Sequence, residues 1–455
     1  MSSSTTEVAA PAVPTDPAAR RRRILKLALP ICGGMVSQNV LNLVDTGMVA
    51  SLGDTSLAAV GLGGFLNFLL TAFILGLSSG VQAIAARRVG EGRTDEVAFP
   101  LNGGIVLATV LGIPISAGLV FAAPWIFSVV ADDPQVAAEG APYLQARLVA
   151  MTAMGINFAF RGHWNAVDKS MLYMGTLVAM HATNITLNWV LIGGNLGAPA
   201  LGATGAGIAS AASTYVGTLC YFGLGFVHAR GHGFLRSLPT RETLKTMIRV
   251  SAPISIQQIF FAAGMTLFLT LVGRVGTSEV AASKVILDLM LVALLPGLGF
   301  GLAAASLVGQ ALGRGDPDDA ERWVWEVAKL ATVVVGVIAL PAALAPSLVL
   351  GVFLHDPDTL AMAITPMRMV AFLVVVDVAG MVGMNALVGA GATRVVMRAS
   401  IVLQWGLLLP VVWLIGPVLG FGLTAIWIAQ VVYRLVQTAT FVFEVKRGAW
   451  RTQRV

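Results

Sequence analysis

Charge is the scarcest commodity in this 455-residue chain: Asp, Glu, Lys and Arg together make up 11% of it, while 56% is hydrophobic. An ordinary soluble domain is about 25% charged, so this one, at a mean hydropathy of +0.82, lacks the polar surface to stay in water. Cysteine is nearly absent. Cys32 and Cys220 both lie in apolar stretches and read as small packing residues, which excludes a disulfide scaffold. The chain has no HExxH, CxxC or GxSxG motif, and its five histidines form no metal-ligand spacing on one helix. The acid pairs Asp132-Asp133 and Asp318-Asp319 lie in predicted loops and do not continue as DDxxD. No enzyme chemistry is therefore written in the motifs. What is abundant instead is 50 Gly and 20 Pro among long apolar runs, a combination that membrane helices tolerate better than soluble ones.

A membrane helix needs about 20 apolar residues. The runs predict twelve, at about 24–51, 57–86, 99–123, 140–164, 171–194, 204–229, 250–274, 279–308, 323–350, 362–390, 399–417 and 421–443. With both termini cytoplasmic, the inward segments hold 24 of the 29 Lys and Arg, the outward loops hold Arg274, and Arg147, Lys284, Arg368 and Arg434 lie within spans. This follows the positive-inside rule loop after loop. The net charge of +6 is thus explained by topology, and no nucleic-acid partner is needed. Residues 1–23, rich in Ser, Thr, Ala and Pro, read as a disordered cytoplasmic tail rather than a cleaved signal peptide.

The chain repeats itself at an ungapped offset of 223. Pro30 falls on Pro253, Gly53 on Gly276, Gly76 on Gly299, Gly90 on Gly313, Gly92 on Gly315 and Asp133-Pro134 on Asp356-Pro357. The organisation expected is a six-helix bundle at 24–229, a basic linker at 230–249, a second bundle at 250–443 and a cytoplasmic tail at 444–455. Six helices per repeat keep both halves in the same orientation, related by a pseudo-twofold along the membrane normal. The fold class is an all-α polytopic membrane protein.

Three acids fall inside spans: Asp45, Asp288 and Asp377. A charge at the bilayer centre costs about 2.5–3.5 kcal/mol on insertion scales, so each is read first as functional and second as a structural ion pair. Gln38, Asn42 and Asp45 share one helical face, and His181, Asn184 and Asn188 share another. Together they offer carboxylate and amide oxygens suited to Na⁺ or to a proton on Asp45, or else a packed polar seam. Asp377 sits among valines and suits a proton carrier. Asp288 has Lys284 one turn before it, and the two can neutralise each other. Pro30, Pro253 and Pro296 lie within helices and permit kinks, of which Pro30 and Pro253 are the expected hinges. Methionines such as Met265 and Met381 suit an adaptable apolar cavity.

Leu27-Ala28-Leu29-Pro30 with Val44-Asp45-Thr46-Gly47-Met48 resembles the helix 1 signature of multidrug and toxic compound extrusion (MATE) transporters. The Arg87–Gly92 and Gly309–Gly315 segments are similar to that family's two matching loops, and the Gly197–Gly207 segment to its loop into helix 6 in bacterial NorM-like members. The resemblance covers about residues 24 to 443. It implies two six-helix bundles with a cavity between them, and antiport of H⁺ or Na⁺ against a cationic or amphiphilic compound. It assigns cation coupling to Asp45, Asn184, Asn188, Thr204 and Asp377. The sequence departs from the pattern in helix 7, where NorM-like members carry a Glu and this chain has Phe261.

The expectation is a proton-coupled drug antiporter of the bacterial cytoplasmic membrane, monomeric, not an enzyme and without a cofactor. Na⁺ is the alternative coupling ion, at Asp45, Asn184 and Asn188. The expected substrate cavity draws on Gln38, Asn42, His181, Gln258, Phe261, Met265, Asp288 and Met381. The competing functions are a lipid-linked precursor flippase of the same superfamily, an integral-membrane transferase and a passive channel. A flippase often needs a basic cavity, against which the scattered in-span cations weigh, and a transferase needs an interfacial acid or His cluster that the sequence lacks.

Overall fold

The computed structural model describes residues 16–354 and 356–453. The helices follow one another as α1 (Pro17–Ala50), α2 (Asp54–Thr71), α3 (Ile74–Gly90), α4 (Phe99–Val130), α5 (Pro134–Val149), α6 (Met151–Ala166), α7 (Ser170–Gly193), α8 (Gly202–His228), α9 (Arg241–Gly273), α10 (Thr277–Gly313), α11 (Pro317–Leu344), α12 (Pro346–Leu350), α13 (Pro357–Gly389), α14 (Thr393–Leu403), α15 (Leu409–Trp413) and α16 (Gly422–Arg447). Among the described residues nine helical stretches are long and apolar enough to cross a membrane. Helices satisfy their own backbone groups, which is what a lipid solvent demands. Large apolar side chains stand open around them, Phe121 at 85% exposure and Leu219 at 71%, surface that only a lipid or a partner would cover. The protein is an all-α polytopic membrane protein.

Each predicted span falls on helix, with two refinements. The second expected span breaks into α2 and α3, the fourth into α5 and α6, and the ninth into α11 and α12. Between α14 and α16 the chain makes two single-turn π segments, Gln404–Leu408 and Leu414–Val418, flanking α15. Pro410 and Pro417 lie in this stretch, and a proline that cannot donate to an i−4 carbonyl favours such widened turns.

The repeated Asp-Pro pairs have a local purpose. Asp133 caps α5 by accepting from the Gln135 amide, and Asp356 caps α13 by accepting from the Thr359 amide and hydroxyl; the next residue in each is the proline at the first helical position. Such caps contribute about 1 kcal/mol each. The two Thr359 donors hold the Asp356 carboxyl below its ordinary range.

The expected domain boundaries need correction. Helix α1 starts at Pro17, so residues 17–23 are helical rather than tail, while residues 1–15 lie outside the described part. Residues 241–249 of the expected linker are the first turns of α9. Beyond 443, α16 runs to Arg447 and a 3₁₀ turn, Ala449–Thr452, buries Trp450. The compact units also cut the chain elsewhere than expected. One is Gly33–Ser255; the other joins residues 16–32 to residues 256–453. Both cuts fall inside helices, two residues after Pro30 in α1 and two after Pro253 in α9, and they lie 223 positions apart. The duplication noted in the sequence therefore extends to where each long helix changes the unit it packs in.

In the first unit, Gly76 of α3 packs against α9, where Ser255 Oγ donates to the Phe73 carbonyl at 2.6 Å. In the second, Gly299 of α10 packs against α1, where Cys32 Sγ donates to the Pro296 carbonyl at 3.5 Å. Every member of one crossing sits 223 residues from its counterpart.

A buried ionic cluster secures α1 in the second unit. The Arg20 guanidinium lies 3.6 Å from the Trp323 ring centroid and pairs with Asp319 at 2.6 Å and Glu326 at 2.7 Å. Asp319 also accepts from Arg314 and from Trp323 Nε1, both at 2.9 Å. Asp319→Ala would strand Arg314 and Trp323 Nε1 and leave Arg20 with Glu326 as its one remaining ion-pair partner among the described residues. Removing one partner of a buried pair costs about 3–5 kcal/mol, and the thermal unfolding midpoint of the purified protein is expected to fall accordingly. An unchanged midpoint would show that the cluster is solvated and weak.

Candidate functional site

The polar face of α1 and the polar face of α7 meet within the first unit. Asn188 Nδ2 donates to Asp45 Oδ1 at 2.7 Å and to Asn184 Oδ1 at 3.1 Å. Asn184 Nδ2 continues to Ser210 Oγ of α8 at 3.2 Å. One to two turns away, Gln38 Nε2 donates to Asn42 Oδ1 at 3.3 Å, and His181 Nε2 lies 3.4 Å from Gln38 Oε1. The i, i+4, i+7 and i, i+3, i+7 spacings thus place two hydrogen-bonded groups along the same pair of helix faces, Asp45–Asn188–Asn184–Ser210 and Asn42–Gln38–His181, with Asn184 and Asn188 buried and Asp45 half-buried. Asn188 Oδ1 is buried and has no partner among the described residues. Asp45 makes no ion pair among them, although Arg147 of α5 is near enough to act on its charge. Thr204 is half-buried on α8 and makes no hydrogen bond to either group among the described residues.

The arrangement presents a carboxylate and a free amide oxygen side by side. Both are hard oxygen donors, suited to Na⁺, and a protonated Asp45 would equally find an acceptor in Asn188 Oδ1 once that amide turned. Among the described residues no group of three or more His, Cys, Asp or Glu gathers as a metal site.

The second unit holds a different polar centre. Asp377 of α13 is 2% exposed. The sequence read it as a lone acid among valines, and that reading is corrected: Arg434 of α16 forms an ion pair with Asp377 Oδ2, and Thr438 Oγ1 donates to Oδ1 at 2.9 Å. Arg434 Nη1 donates to Gln437 Oε1 at 3.0 Å, whose Nε2 reaches the Tyr433 hydroxyl at 3.2 Å. These side chains border a cavity of about 260 Å³ to which Gln258, Phe261, Met265 and Met381 also contribute.

The expected substrate residues are therefore split. Gln38, Asn42 and His181 form their own hydrogen-bonded group in the first unit, on the same helix faces as Asp45 and Asn188, while Gln258, Phe261, Met265 and Met381 line the second unit's cavity. Asp288 does neither. It is exposed, does not line that cavity and makes no ion pair with Lys284 among the described residues, so both the cavity role and the pairing expected for it are corrected. Arg434, Gln430 and Gln437 were missed, with Arg434 read as one of four scattered cations. Their signal was available: Gln430, Tyr433, Arg434, Gln437 and Thr438 follow i, i+3, i+4, i+7, i+8 on one face of an otherwise apolar span.

A sequence duplicated at a fixed offset, a carboxylate within a long helix bonded to an amide pair and a second polar pocket define a polytopic membrane protein of the duplicated, cavity-bearing kind found among secondary carriers. The MatE family model matches residues 30–190 and again 253–414, two matches that begin 223 positions apart, and the chain belongs to that family. It is 27% identical over 417 residues to the "Multidrug resistance protein NorM" of Burkholderia vietnamiensis, covering 88% of each chain. Its fold is that of a solved structure titled "Outward-facing conformation of a multidrug resistance MATE family transporter of the MOP superfamily" (TM-score 0.87, 22% identity, 96% of this chain and 97% of that one). It is equally that of "MATE in the straight conformation" (TM-score 0.87, 22% identity, 99% and 100%).

Proposed function

We propose that this protein is a secondary active efflux antiporter of the cytoplasmic membrane, both termini cytoplasmic, exporting amphiphilic organic compounds in exchange for protons that load Asp45. The observation that carries the reading is the Asp45–Asn188 hydrogen bond at 2.7 Å beside an orphaned Asn188 Oδ1, with no basic partner locking the acid among the described residues. Membership of the MatE family and the relatives named for multidrug resistance support it. An ionised Asp45 accepts from Asn188. A protonated Asp45 must donate, so the amide turns its free oxygen towards it, the α1–α7 seam is rebuilt, and α1 bends near Pro30. The two protonation states then favour different arrangements, which is the differential interaction that coupling requires.

Na⁺ is the second reading, favoured by the same two oxygens. Asn184 and Thr204 would complete its surroundings. Asp377 is not assigned the coupling role, because loading a proton onto it would first require Arg434 to part.

The test is efflux of a cationic and an uncharged amphiphilic dye from vesicles under an imposed ΔpH and, separately, an imposed ΔNa⁺. Export driven by ΔpH alone is expected. Export driven only by ΔNa⁺ would select the second reading, and flux indifferent to both gradients would sink antiport and leave a passive pore.

The amide partner gives a graded check. Asn188→Leu removes the donor to Asp45 and the free oxygen together. Because the lost bond is a charge-assisted one to the ionised carboxylate, the proton dependence of transport is expected to shift about tenfold towards lower proton concentration, the worth of about 1.4 kcal/mol, with the protein still assembled in the membrane.

A further inference from the structure

The second unit's cavity carries an internal counter-charge that the family resemblance does not supply. Its one acid, Asp377, is matched by Arg434, and both line the same space. The remaining polar lining is uncharged: five glutamine amides, among them Gln258, Gln404 and Gln430, and the hydroxyls of Ser400, Tyr433 and Thr438. Apolar walls come from Phe261, Met265, Met381 and Met384. Two buried atoms in this wall lack a partner among the described residues, the donor Arg434 Nε and the acceptor Gln430 Oε1, one turn apart on α16. The ion pair leaves no net charge to attract a cation or an anion. Inserting either would confront a desolvated charge with a site whose own charges are already spent on each other. An uncharged group with both a carbonyl and an N–H meets amides and adaptable methionine side chains instead.

We propose that Arg434 is a specificity-determining residue, a tethered cation that silences Asp377 and makes this cavity a subsite for an uncharged, hydrogen-bonding amphiphile such as a carboxamide on an aromatic ring. The volume agrees. About 260 Å³ is below the 300–1,000 Å³ or so of drug-sized sites, so the cavity takes a ring with one polar arm. This deepens the efflux reading by naming what one of its cavities selects. It also removes this cavity from the cationic part of the proposed substrate range.

The test uses purified full-length protein and three probes of similar size: N-benzylacetamide, benzyltrimethylammonium and phenylacetate, with binding followed by calorimetry. The wild type is expected to bind the acetamide at least tenfold more tightly than either ion. Arg434→Gln uncovers Asp377 and is expected to improve benzyltrimethylammonium, relative to the acetamide, by tenfold or more. Asp377→Asn uncovers Arg434 and is expected to do the same for phenylacetate. Either variant decides the matter if the other fails to fold. A wild type that prefers an ion, or a folded variant whose ranking does not move, overturns the proposal. Binding is read without any gradient, so failure here leaves ΔpH-driven efflux intact, and failure of efflux leaves this ranking intact.

Discussion

Asp45→Asn is expected to abolish gradient-driven efflux while leaving the folded protein in place. The substitution keeps shape and keeps an oxygen for Asn188 Nδ2, which donates to Asp45 at 2.7 Å, so the α1–α7 seam survives. What it removes is the change of charge. A ΔpH of about two units supplies about 2.7 kcal/mol per proton, enough for a hundredfold concentration gradient of substrate. A carrier with nothing to titrate cannot draw on it, and vesicles bearing Asp45→Asn should reach only passive equilibrium, a loss of up to about a hundredfold in accumulation. Asp45→Glu should retain part of the activity, because the carboxyl survives on a side chain one methylene too long for the same hydrogen bond. Wild-type accumulation by Asp45→Asn would move the coupling site elsewhere. The first place to look would be Asp377, whose bond to Arg434 would then have to open during the cycle.

The site was legible where it depended on spacing along one helix and opaque where it depended on a helix far away. Asp45, Asn184 and Asn188 could be read because a polar stripe at i, i+4 and i, i+3, i+7 has no lipid-compatible place except against another stripe, and α1 and α7 each had one. The partner of Asp377 could not be read the same way. It lies 57 residues on, and within its own span Arg434 looks like one isolated cation until its Gln and Thr neighbours are placed on the same face. Asp288 failed for the opposite reason. A Lys one turn away suggested a pair, but both side chains are exposed and form no close ion pair among the described residues, in keeping with the small worth of exposed pairs. The duplication was the most informative feature, since a fixed offset in Gly, Pro and Asp-Pro encodes backbone geometry rather than chemistry. It set Asp133-Pro134 on Asp356-Pro357, the pairs that the structure shows to be the matched caps of α5 and α13. It did not foresee that the compact units divide inside α1 and α9, because nothing in a continuous apolar run marks where a helix changes neighbours.

That division gives the second large effect, at Gly76 and Gly299, residues that share the offset but not the same tolerance. A Cβ at Gly76 would meet the Ser255 hydroxyl and also the Ser251 carbonyl oxygen and the Ser255 amide nitrogen, each at 2.6 Å. A Cβ at Gly299 would meet chiefly the Cys32 sulfur, with the nearest backbone atom, the Cys32 amide nitrogen, at 3.1 Å. A side-chain atom can be removed and a backbone atom cannot. Gly76→Ala must therefore push α3 and α9 apart and break the Ser255–Phe73 bond, a strain of about 1–3 kcal/mol or more. Gly299→Ala should cost less. The double substitutions separate the cases: Gly299→Ala with Cys32→Ala is expected to recover most of its lost thermal stability, because the colliding sulfur is gone, whereas Gly76→Ala with Ser255→Ala should recover little against the two backbone atoms that remain. Equal rescue at both crossings would mean that the α3–α9 contact is looser than its hydrogen bond implies, and that the two repeats differ in residue type without differing in how tightly their helices are held.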